Sequence, residues 1–188
     1  MLILASKSPR RRELLRQLGE EEFEILPAVG EETAPAGLTP AELVEALSRQ
    51  KAAEVAEKAG AEDIILAADT VVALDGRVLG KPATEREAFE MLSALSGRRH
   101  EVYTGVTVRR GACVLTDSVE TSVFFRTLTS EEIRAYIATG EPMDKAGAYG
   151  IQGRAAVFIP RIEGDYSNVV GLPVCRTAEL LRQLKGGA

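Results

Sequence analysis

Short apolar runs along the chain are interleaved with segments whose apolar residues recur at helical spacing. The run at residues 2–5 predicts a strand, and the periodic residues 13–18 predict the helix that follows it. Residues 64–68 form a continuous apolar run of the kind found in a buried central strand, and this run ends at Asp69. Strands and helices mix without strict alternation. The pattern therefore predicts an α/β fold in which helices flank a central, mixed, twisted sheet.

Turn residues and helix caps divide the rest of the chain into further elements. Thr39 caps a long helix that ends at Gly60, Thr84 caps another helix, and Thr129 opens a capping box. The Asp-Gly dipeptide at 75–76 predicts a hairpin. The remaining predicted elements are a short strand at 23–26, a strand pair around 110–111, a strand near Val157 and a final helix from about Leu172.

The segment Ser-Lys-Ser-Pro-Arg-Arg-Arg at 6–12 joins the first strand to the first helix. Ser8 is a good helix N-cap and Pro9 suits the first helical position, so the turn presents backbone N–H groups and hydroxyls to an anion. Arg10 and Arg11 lean toward the packed side of the helix, which indicates a polyphosphate ligand. The alternative is a capped helix whose arginines are only solvated.

The composition excludes several classes of partner. The chain has 188 residues and a formal charge of -5, which argues against general affinity for nucleic acid or anionic membranes. Its apolar N-terminal run is too short for a signal peptide, and no run approaches the roughly 20 residues that span a bilayer. We therefore expect a cytoplasmic protein in which any phosphate site is a local basic pocket.

Histidine and cysteine are scarce in this chain. His100 is the only histidine, which excludes a histidine-rich metal site, and it stands at the entry of a predicted strand, an uncommon place for a mobile base. Cys113 and Cys175 lack metal-ligand spacing and are predicted to be reduced thiols in the core. If the protein is an enzyme, its catalytic groups are carboxylates, lysines and a hard metal ion.

Asp69 is the best catalytic candidate, because an acidic group at the end of a buried strand is costly unless it binds a cation or acts as a base. It could instead cap its own turn. Glu31 follows another strand, and Lys51 and Lys81 offer ammonium groups from separate elements. Lys51 either snorkels to the edge of its helix or reaches into a cleft. Two carboxylates and several cations in one cleft suit a triphosphate bound with magnesium.

A segment at 140–153 has too many glycines for an ordinary helix or strand and is predicted to be a shaped loop. Asp144, Lys145 and Gln152 could line a ligand pocket there, and solvated loop charges are the alternative. The segment is not a Walker loop, because its glycines are not followed by the Lys-Ser or Lys-Thr pair that this motif requires.

Several short motifs are spread over the whole chain. They are Ser-Lys-Ser-Pro-Arg-Arg at 6–11, Ala-Asp-Thr-Val-Val at 68–72, Gly-Lys-Pro at 80–82, Ser-Gly-Arg-Arg-His at 96–100, Asp-Lys-Ala-Gly-Ala-Tyr-Gly-Ile-Gln-Gly at 144–153 and Gly-Asp-Tyr-Ser-Asn-Val-Val-Gly-Leu-Pro at 164–173. In these motifs and their order the chain resembles the Maf nucleoside triphosphate pyrophosphatases of the dTTP/UTP subgroup. One departure is Gly30, which stands where an acidic residue is expected and leaves open whether Glu31 or Glu32 is the functional carboxylate.

The resemblance implies a single Maf-like domain over residues 1–188, with two lobes around a nucleotide-binding cleft in a Maf/ITPase-like fold. It implies that dTTP, UTP and modified pyrimidine nucleotides are hydrolysed between the α and β phosphates to a monophosphate and pyrophosphate. A divalent cation, Mg²⁺ or Mn²⁺, assists in that reaction. Asp69 matches the family's proposed base, and Arg10, Thr70 and Gln152 match positions that select pyrimidines. The resemblance also implies a homodimer.

On this basis, substrate binding is assigned to seven residues: Ser8, Arg10, Arg11, Lys51, Thr70, Lys81 and Gln152. The metal is assigned to Asp69 and Glu31, and Asp69 either holds it or deprotonates the attacking water. A glutamine amide can accept from N3–H of uracil or thymine and donate to O4, whereas a flipped amide suits cytosine. Two other functions stay open, namely a nucleotide-binding regulator without efficient turnover and a phosphohydrolase that removes the terminal phosphate.

Overall fold

The computed structural model describes residues 1–186, in which helices flank a sheet of seven strands. The strands are β1 (Leu2–Leu4), β2 (Glu24–Ile25), β3 (Ile64–Leu74), β4 (Arg77–Leu79), β5 (Arg99–Arg110), β6 (Cys113–Phe124) and β7 (Arg161–Glu163). The helices are α1 (Pro9–Gln17), α2 (Pro40–Ala56), α3 (Glu85–Leu95), α4 (Ser130–Ile137), α5 (Tyr166–Val170) and α6 (Val174–Gly186). The predicted mixed α/β fold is confirmed. The predicted single domain also includes residues 187 and 188, which lie outside the described residues.

Strand β3 lies near the centre of the sheet and changes partners along its length. The strand order is β2-β1-β3-β5-β6-β7, with β1 parallel and β5 antiparallel to β3. On the edge away from β5, β1 pairs with residues 64–66 and β4 pairs with residues 72–74. Within residues 1–186, no strand pairs with residues 67–71 on that edge, so the sheet has a gap there. Gaps at the carboxyl ends of parallel strands are common ligand sites in α/β folds.

Buried side chains form cores on both sides of this gap and divide the molecule into two lobes. In the first lobe, α1 and α6 pack on one face of β1 and β3, and α2 packs on the opposite face. In the second lobe, α3 and α4 pack around the far halves of β3, β5 and β6. Fully or nearly fully buried members of these cores include Leu15, Leu66, Val55, Leu92 and Tyr136. The long strands therefore pass through both lobes.

Gly105 of β5 allows α2 to cross the sheet closely. Gly105 is paired with Asp69 of β3, and a Cβ atom at this glycine would lie 2.3 Å from the carbonyl oxygen of Val44 in α2. A larger residue would push the helix away from the sheet. Because the helix stays close, Lys51 on a later turn of α2 reaches Asp69.

Several predictions are corrected by the structure. Strand β3 does not end at Asp69 but continues to Leu74. The residues around Val157 form a 3-10 turn instead of a strand, and the sequence did not predict α5. Cys113 and Cys175 are free thiols, as predicted, but they are exposed and do not belong to the core.

No helix within residues 1–186 combines the length and the apolar character that crossing a bilayer requires.

Candidate active site

A cleft of about 1060 Å³ opens at the gap in the sheet. It is lined by the turn after β1, the middle of β3, the loop after β4 and part of the glycine-rich loop. The residues assigned from the sequence line this cleft with one exception, Glu31; those that do are Ser8, Arg10, Arg11, Lys51, Asp69, Thr70, Lys81 and Gln152. The fold thus brings together side chains from distant parts of the chain, and their individual roles stay predictions.

The turn between β1 and α1 has the geometry of an anion site. Ser8 is the N-cap of α1, and its Oγ accepts a hydrogen bond from the N–H of Arg11 at 3.4 Å. The Oγ of Ser6 accepts from the N–H of Ser8 at 3.2 Å. Residues 9–12 include no acidic side chain, so the positive end of the helix dipole is not offset within the first turn.

Lys51 joins two carboxylates inside the cleft. Its Nζ lies 2.5 Å from Oδ1 of Asp69 and 2.8 Å from Oε1 of Glu32. The hydrogen bond from Lys51 is the main reason that the pKa of Glu32 is lowered, and the positive charges of Lys81 and Arg11 add to it. Asp69 itself is only 8% exposed. The ammonium group therefore compensates a carboxylate that would otherwise be buried in the sheet without a partner.

Glu32, not Glu31, is the acidic residue that the loop after β2 brings to the cleft. The side chain of Gln50 in α2 donates to the carbonyl oxygen of Glu31 at 2.7 Å and accepts from the N–H of Thr33 at 3.1 Å. With the loop held in this way, the side chain of Glu32 reaches Lys51 and lines the cleft, whereas Glu31 does not line it. The sequence left these two glutamates open as alternatives. Their role as metal ligands stays a prediction, and the geometry places Glu32 at the site.

The guanidinium group of Arg11 is engaged with the protein itself. Its Nε donates to the carbonyl oxygen of Gly171 at 2.8 Å, Nη1 to Oγ of Ser6 at 3.3 Å and Nη2 to Oγ1 of Thr70 at 3.1 Å. The hydroxyl of Thr70 also lies 2.8 Å from that of Thr104 in β5. Burial is the main cause of a lowered pKa for Arg11. This side chain therefore ties α1, β3 and the segment before α6 together in the wall of the cleft.

The glycine-rich loop forms one wall of the cleft. Residues 150–153 make a tight turn in which the N–H of Gly153 donates to the carbonyl oxygen of Gly150 at 3.1 Å, and Gln152 lies within that turn. Lys145 donates to Asp144 at 2.8 Å, which is the main cause of the lowered pKa of that carboxylate. The predicted shaped loop is confirmed, and it exposes the side chain of Gln152 at the cleft.

Glu141 also lines the cleft, although the sequence did not single it out. A signal was available in Gly153, where a Cβ atom would lie 1.9 Å from Oε1 of Glu141. In a sequence, a glycine can indicate that another group lies where its side chain would be, but it does not identify that group. Only the folded loop brings these two residues together.

His100 takes no part in the cleft. It is buried, its Nε2 lies 2.7 Å from the hydroxyl of Tyr149, and its ring packs edge-on against Phe125. Burial lowers the pKa of His100 to about 4, so the ring is neutral near pH 7. Its place in the core agrees with the expectation that it is not a mobile base.

The carboxylates at the site fit a divalent cation that is completed by substrate. Within the described part of the chain, no group of three or more His, Cys, Asp or Glu side chains is placed to hold a metal. Asp69 and Glu32 nevertheless converge on one positive charge, the ammonium group of Lys51. Magnesium sites commonly combine one or two carboxylates with substrate phosphates and water. The donor set of this cleft is of that kind.

Comparisons with known sequences give one consistent result. The sequence model of a family described as "Maf-like protein" matches residues 1–184. The chain is 55% identical over 185 residues to a protein of Pelotomaculum thermopropionicum named dTTP/UTP pyrophosphatase, covering 97% of this chain and 95% of that protein. It is 56% identical over 183 residues to a protein of Symbiobacterium thermophilum with the same name, covering 97% and 93% of the two chains.

A solved structure supports the same architecture. A HAM1 protein from Coxiella burnetii matches with a TM-score of 0.50 and 17% sequence identity, covering 97% of this chain and 98% of that chain. At this level of identity, the likeness concerns the fold alone. It agrees with a mixed sheet that carries helices on its faces.

Proposed function

The chain belongs to the Maf family, and from that membership we propose that it hydrolyses dTTP and UTP to the monophosphate and pyrophosphate. The observation that carries the proposal is the meeting of Lys51 with Asp69 and Glu32 in a cleft that Gln152 also lines. Such a cleft offers charged groups to a triphosphate and an amide to a base. Modified pyrimidine nucleotides that keep the same hydrogen-bonding edge are further substrates.

The cationic side of the cleft binds the triphosphate. The turn before α1 offers backbone N–H groups and the hydroxyl of Ser8, while Arg10, Lys51 and Lys81 add positive charge. Arg11 also lines the cleft and contributes its charge while it is bonded to Thr70. Because a triphosphate carries several negative charges, this neutralisation favours attack of water at the α phosphorus.

A divalent cation is part of the proposal. Asp69 and Glu32 would hold it, with Glu31 as the alternative to Glu32. When bound, Mg²⁺ or Mn²⁺ supplies Lewis-acid stabilisation of the charge on phosphate oxygens. The side chain of Lys51 now lies between the carboxylates, and its flexible stem allows its ammonium group to turn toward the phosphates.

Asp69 is proposed as the base. Its carboxylate accepts a proton from water as the water oxygen bonds to the α phosphorus, and the bond from that phosphorus to the bridging oxygen breaks. Pyrophosphate leaves with the electron pair, and the proton passes from Asp69 to solvent. The alternative role of Asp69 is that of a metal ligand alone. Both roles require its carboxylate in the cleft.

Gln152 is proposed to read the base. Its amide oxygen accepts from N3–H of uracil or thymine while its amide nitrogen donates to O4. Cytosine presents the reversed pattern at these atoms, so the same amide orientation rejects it. Arg10 and Thr70 complete the group of residues proposed to select pyrimidines.

We also propose that the protein acts in the cytoplasm as a homodimer and has no nucleic-acid or membrane partner. The formal charge of -5 supports the absence of general affinity for nucleic acid. Size-exclusion chromatography with light scattering tests the dimer, and a duplex-binding titration at low salt tests the absence of nucleic-acid binding.

The proposed function is tested by incubating the protein with each common nucleoside triphosphate and with 5-methyl-UTP and 7-methyl-GTP, with Mg²⁺ or Mn²⁺, and measuring pyrophosphate and orthophosphate separately. Metal-dependent release of pyrophosphate from UTP and dTTP is the expected result. Orthophosphate as the main product would indicate removal of the terminal phosphate. Tight nucleotide binding without turnover would indicate a regulator, and a preference for 7-methyl-GTP would overturn the pyrimidine assignment.

A further inference from the structure

The turn that carries Gln152 is tied to Glu141 at both ends, directly at one end and through the hydroxyl of Tyr136 at the other. Oε2 of Glu141 accepts a hydrogen bond from the N–H of Arg154 at 3.2 Å, immediately after the turn. Oε1 of Glu141 accepts from the hydroxyl of Tyr136 at 2.8 Å, and that hydroxyl accepts from the N–H of Gly150 at 3.2 Å. The two ends of the turn are therefore joined through Glu141 and Tyr136.

Tyr136 is itself firmly placed. Its side chain is only 3% exposed in the core between α3 and α4, and its ring packs edge-on against Phe158 with centroids 5.3 Å apart. Burial is the main cause of a raised pKa for Tyr136, so its hydroxyl stays protonated and donates a hydrogen bond to Glu141. The anchor of the turn thus belongs to the packed core of the second lobe.

Gly153 brings the turn into direct contact with this anchor. A Cβ atom at Gly153 would lie 1.9 Å from Oε1 and 2.6 Å from Oε2 of Glu141. Any side chain there would displace the carboxylate or the turn. The close approach is therefore built into the sequence at two positions, a glycine in the turn and a glutamate outside it.

We infer that Tyr136 and Glu141 are positioning residues for base selection, because they hold the amide of Gln152 at a fixed place in the cleft. This inference rests on the proposed function, in which Gln152 reads the pyrimidine. A single amide distinguishes uracil from cytosine only while its distance and orientation to the base are fixed. A turn released from Glu141 keeps the amide but loses that placement.

The test compares UTP with CTP in Tyr136→Phe, Glu141→Ala and Glu141→Gln variants. The UTP-to-CTP ratio of kcat/KM is expected to fall roughly three- to ten-fold in Tyr136→Phe and Glu141→Ala. The fall should come from a higher KM for UTP with kcat almost unchanged. Glu141→Gln keeps one carbonyl acceptor and should show a smaller fall. Tyr166→Phe and Glu131→Gln, which change exposed residues outside the cleft, are the matched controls.

The outcomes separate this inference from the proposed function. If the wild-type protein releases no pyrophosphate from UTP, the proposed function fails. If the wild type is active and folded Tyr136→Phe keeps the wild-type ratio, the positioning inference is overturned alone. Equal losses for UTP and CTP would also overturn it, because they would show a merely structural role. Should Glu141→Ala fail to fold, Tyr136→Phe and Glu141→Gln decide the question.

Discussion

The Nη2 atom of Arg11 donates to the hydroxyl of Thr70 at 3.1 Å. The same guanidinium group holds Gly171 and Ser6, so three segments meet at one side chain. This arrangement gives Arg11 a structural role in addition to the phosphate-binding role predicted from the sequence. It also fixes one of the residues proposed to select pyrimidines.

We predict that Arg11→Lys lowers the free energy of unfolding by about 1–3 kcal/mol, because one ammonium group cannot replace the three contacts of the planar guanidinium. The value of kcat/KM should fall by the same factor for UTP and for CTP. Urea unfolding and steady-state kinetics measure both effects, with Arg12→Lys in the same helix as control. Lost activity at unchanged stability would contradict the structural role.

Replacing Asp69 by Asn should lower kcat by at least about 100-fold, because the amide neither accepts the proton from water nor balances a cation. Affinity for a nonhydrolysable UTP analogue, measured by calorimetry, should change only a few-fold. Asp75→Asn is the control, since Asp75 lies in an exposed turn with a positive φ that asparagine tolerates. Near-normal turnover in Asp69→Asn would rule out both proposed roles for this carboxylate.

The neighbouring glutamates offer a matched pair. Glu32→Gln should lower kcat and raise the Mn²⁺ concentration needed for half-maximal rate, because Glu32 lies against Lys51 beside Asp69. Glu31→Gln should leave both values close to wild type, since Glu31 is exposed outside the cleft. Titrating each variant with Mn²⁺ at saturating UTP provides the measurement. The reverse pattern would restore Glu31 as the functional carboxylate.

Gln152→Ala should reduce the UTP-to-CTP ratio of kcat/KM by roughly ten-fold, because the alanine side chain reads neither base. The product should still be pyrophosphate, since the phosphate-binding residues are untouched. Gln183→Ala, an exposed change in α6, is the matched control. An unchanged ratio would reject Gln152 as the reader of the base.

His100 should make the protein less stable in acid. Its pKa in the folded protein is about 4, below the ordinary value of 6.5, so the unfolded chain binds a proton that the folded chain does not bind between these values. Stability is therefore lost as pH falls from 6.5 to 4, and the loss from this group reaches about 3 kcal/mol. Because His100 is the only histidine, NMR of its imidazole C–H signals measures the pKa directly. A midpoint near 6.5 in the folded protein would refute this prediction.

The local features of the fold were predictable from the sequence. Ser8, Thr39, Thr84 and Thr129 all cap helices and accept hydrogen bonds from N–H groups three residues further along. Each cap depends on residues within one helical turn, so spacing alone is sufficient. The predicted hairpin at the Asp-Gly dipeptide is also confirmed, because a tight turn likewise depends on residues that are adjacent in the sequence.

Features that depend on distant residues were less predictable. The apolar run ends at Asp69, so the sequence predicts a strand end there, but β3 continues because Lys51 of α2 compensates the carboxylate. The choice between Glu31 and Glu32 likewise depends on Gln50, which holds the loop from α2. In both cases the deciding contact comes from another element, and sequence spacing does not reveal it.

The two lobes share unbroken strands, which restrict any motion of one lobe against the other. β3 and β5 run from one core into the other with Asp69 and Gly105 paired midway. Any rotation of one lobe against the other must therefore bend or twist these strands, with the smallest displacement near their midpoint. Asp69 lies at this midpoint, whereas Lys81 follows β4 beside the core of the second lobe, and Ile151, next to Gln152, packs against the core of the first lobe. A rotation of the lobes would thus displace Lys81 more than the carboxylate of Asp69.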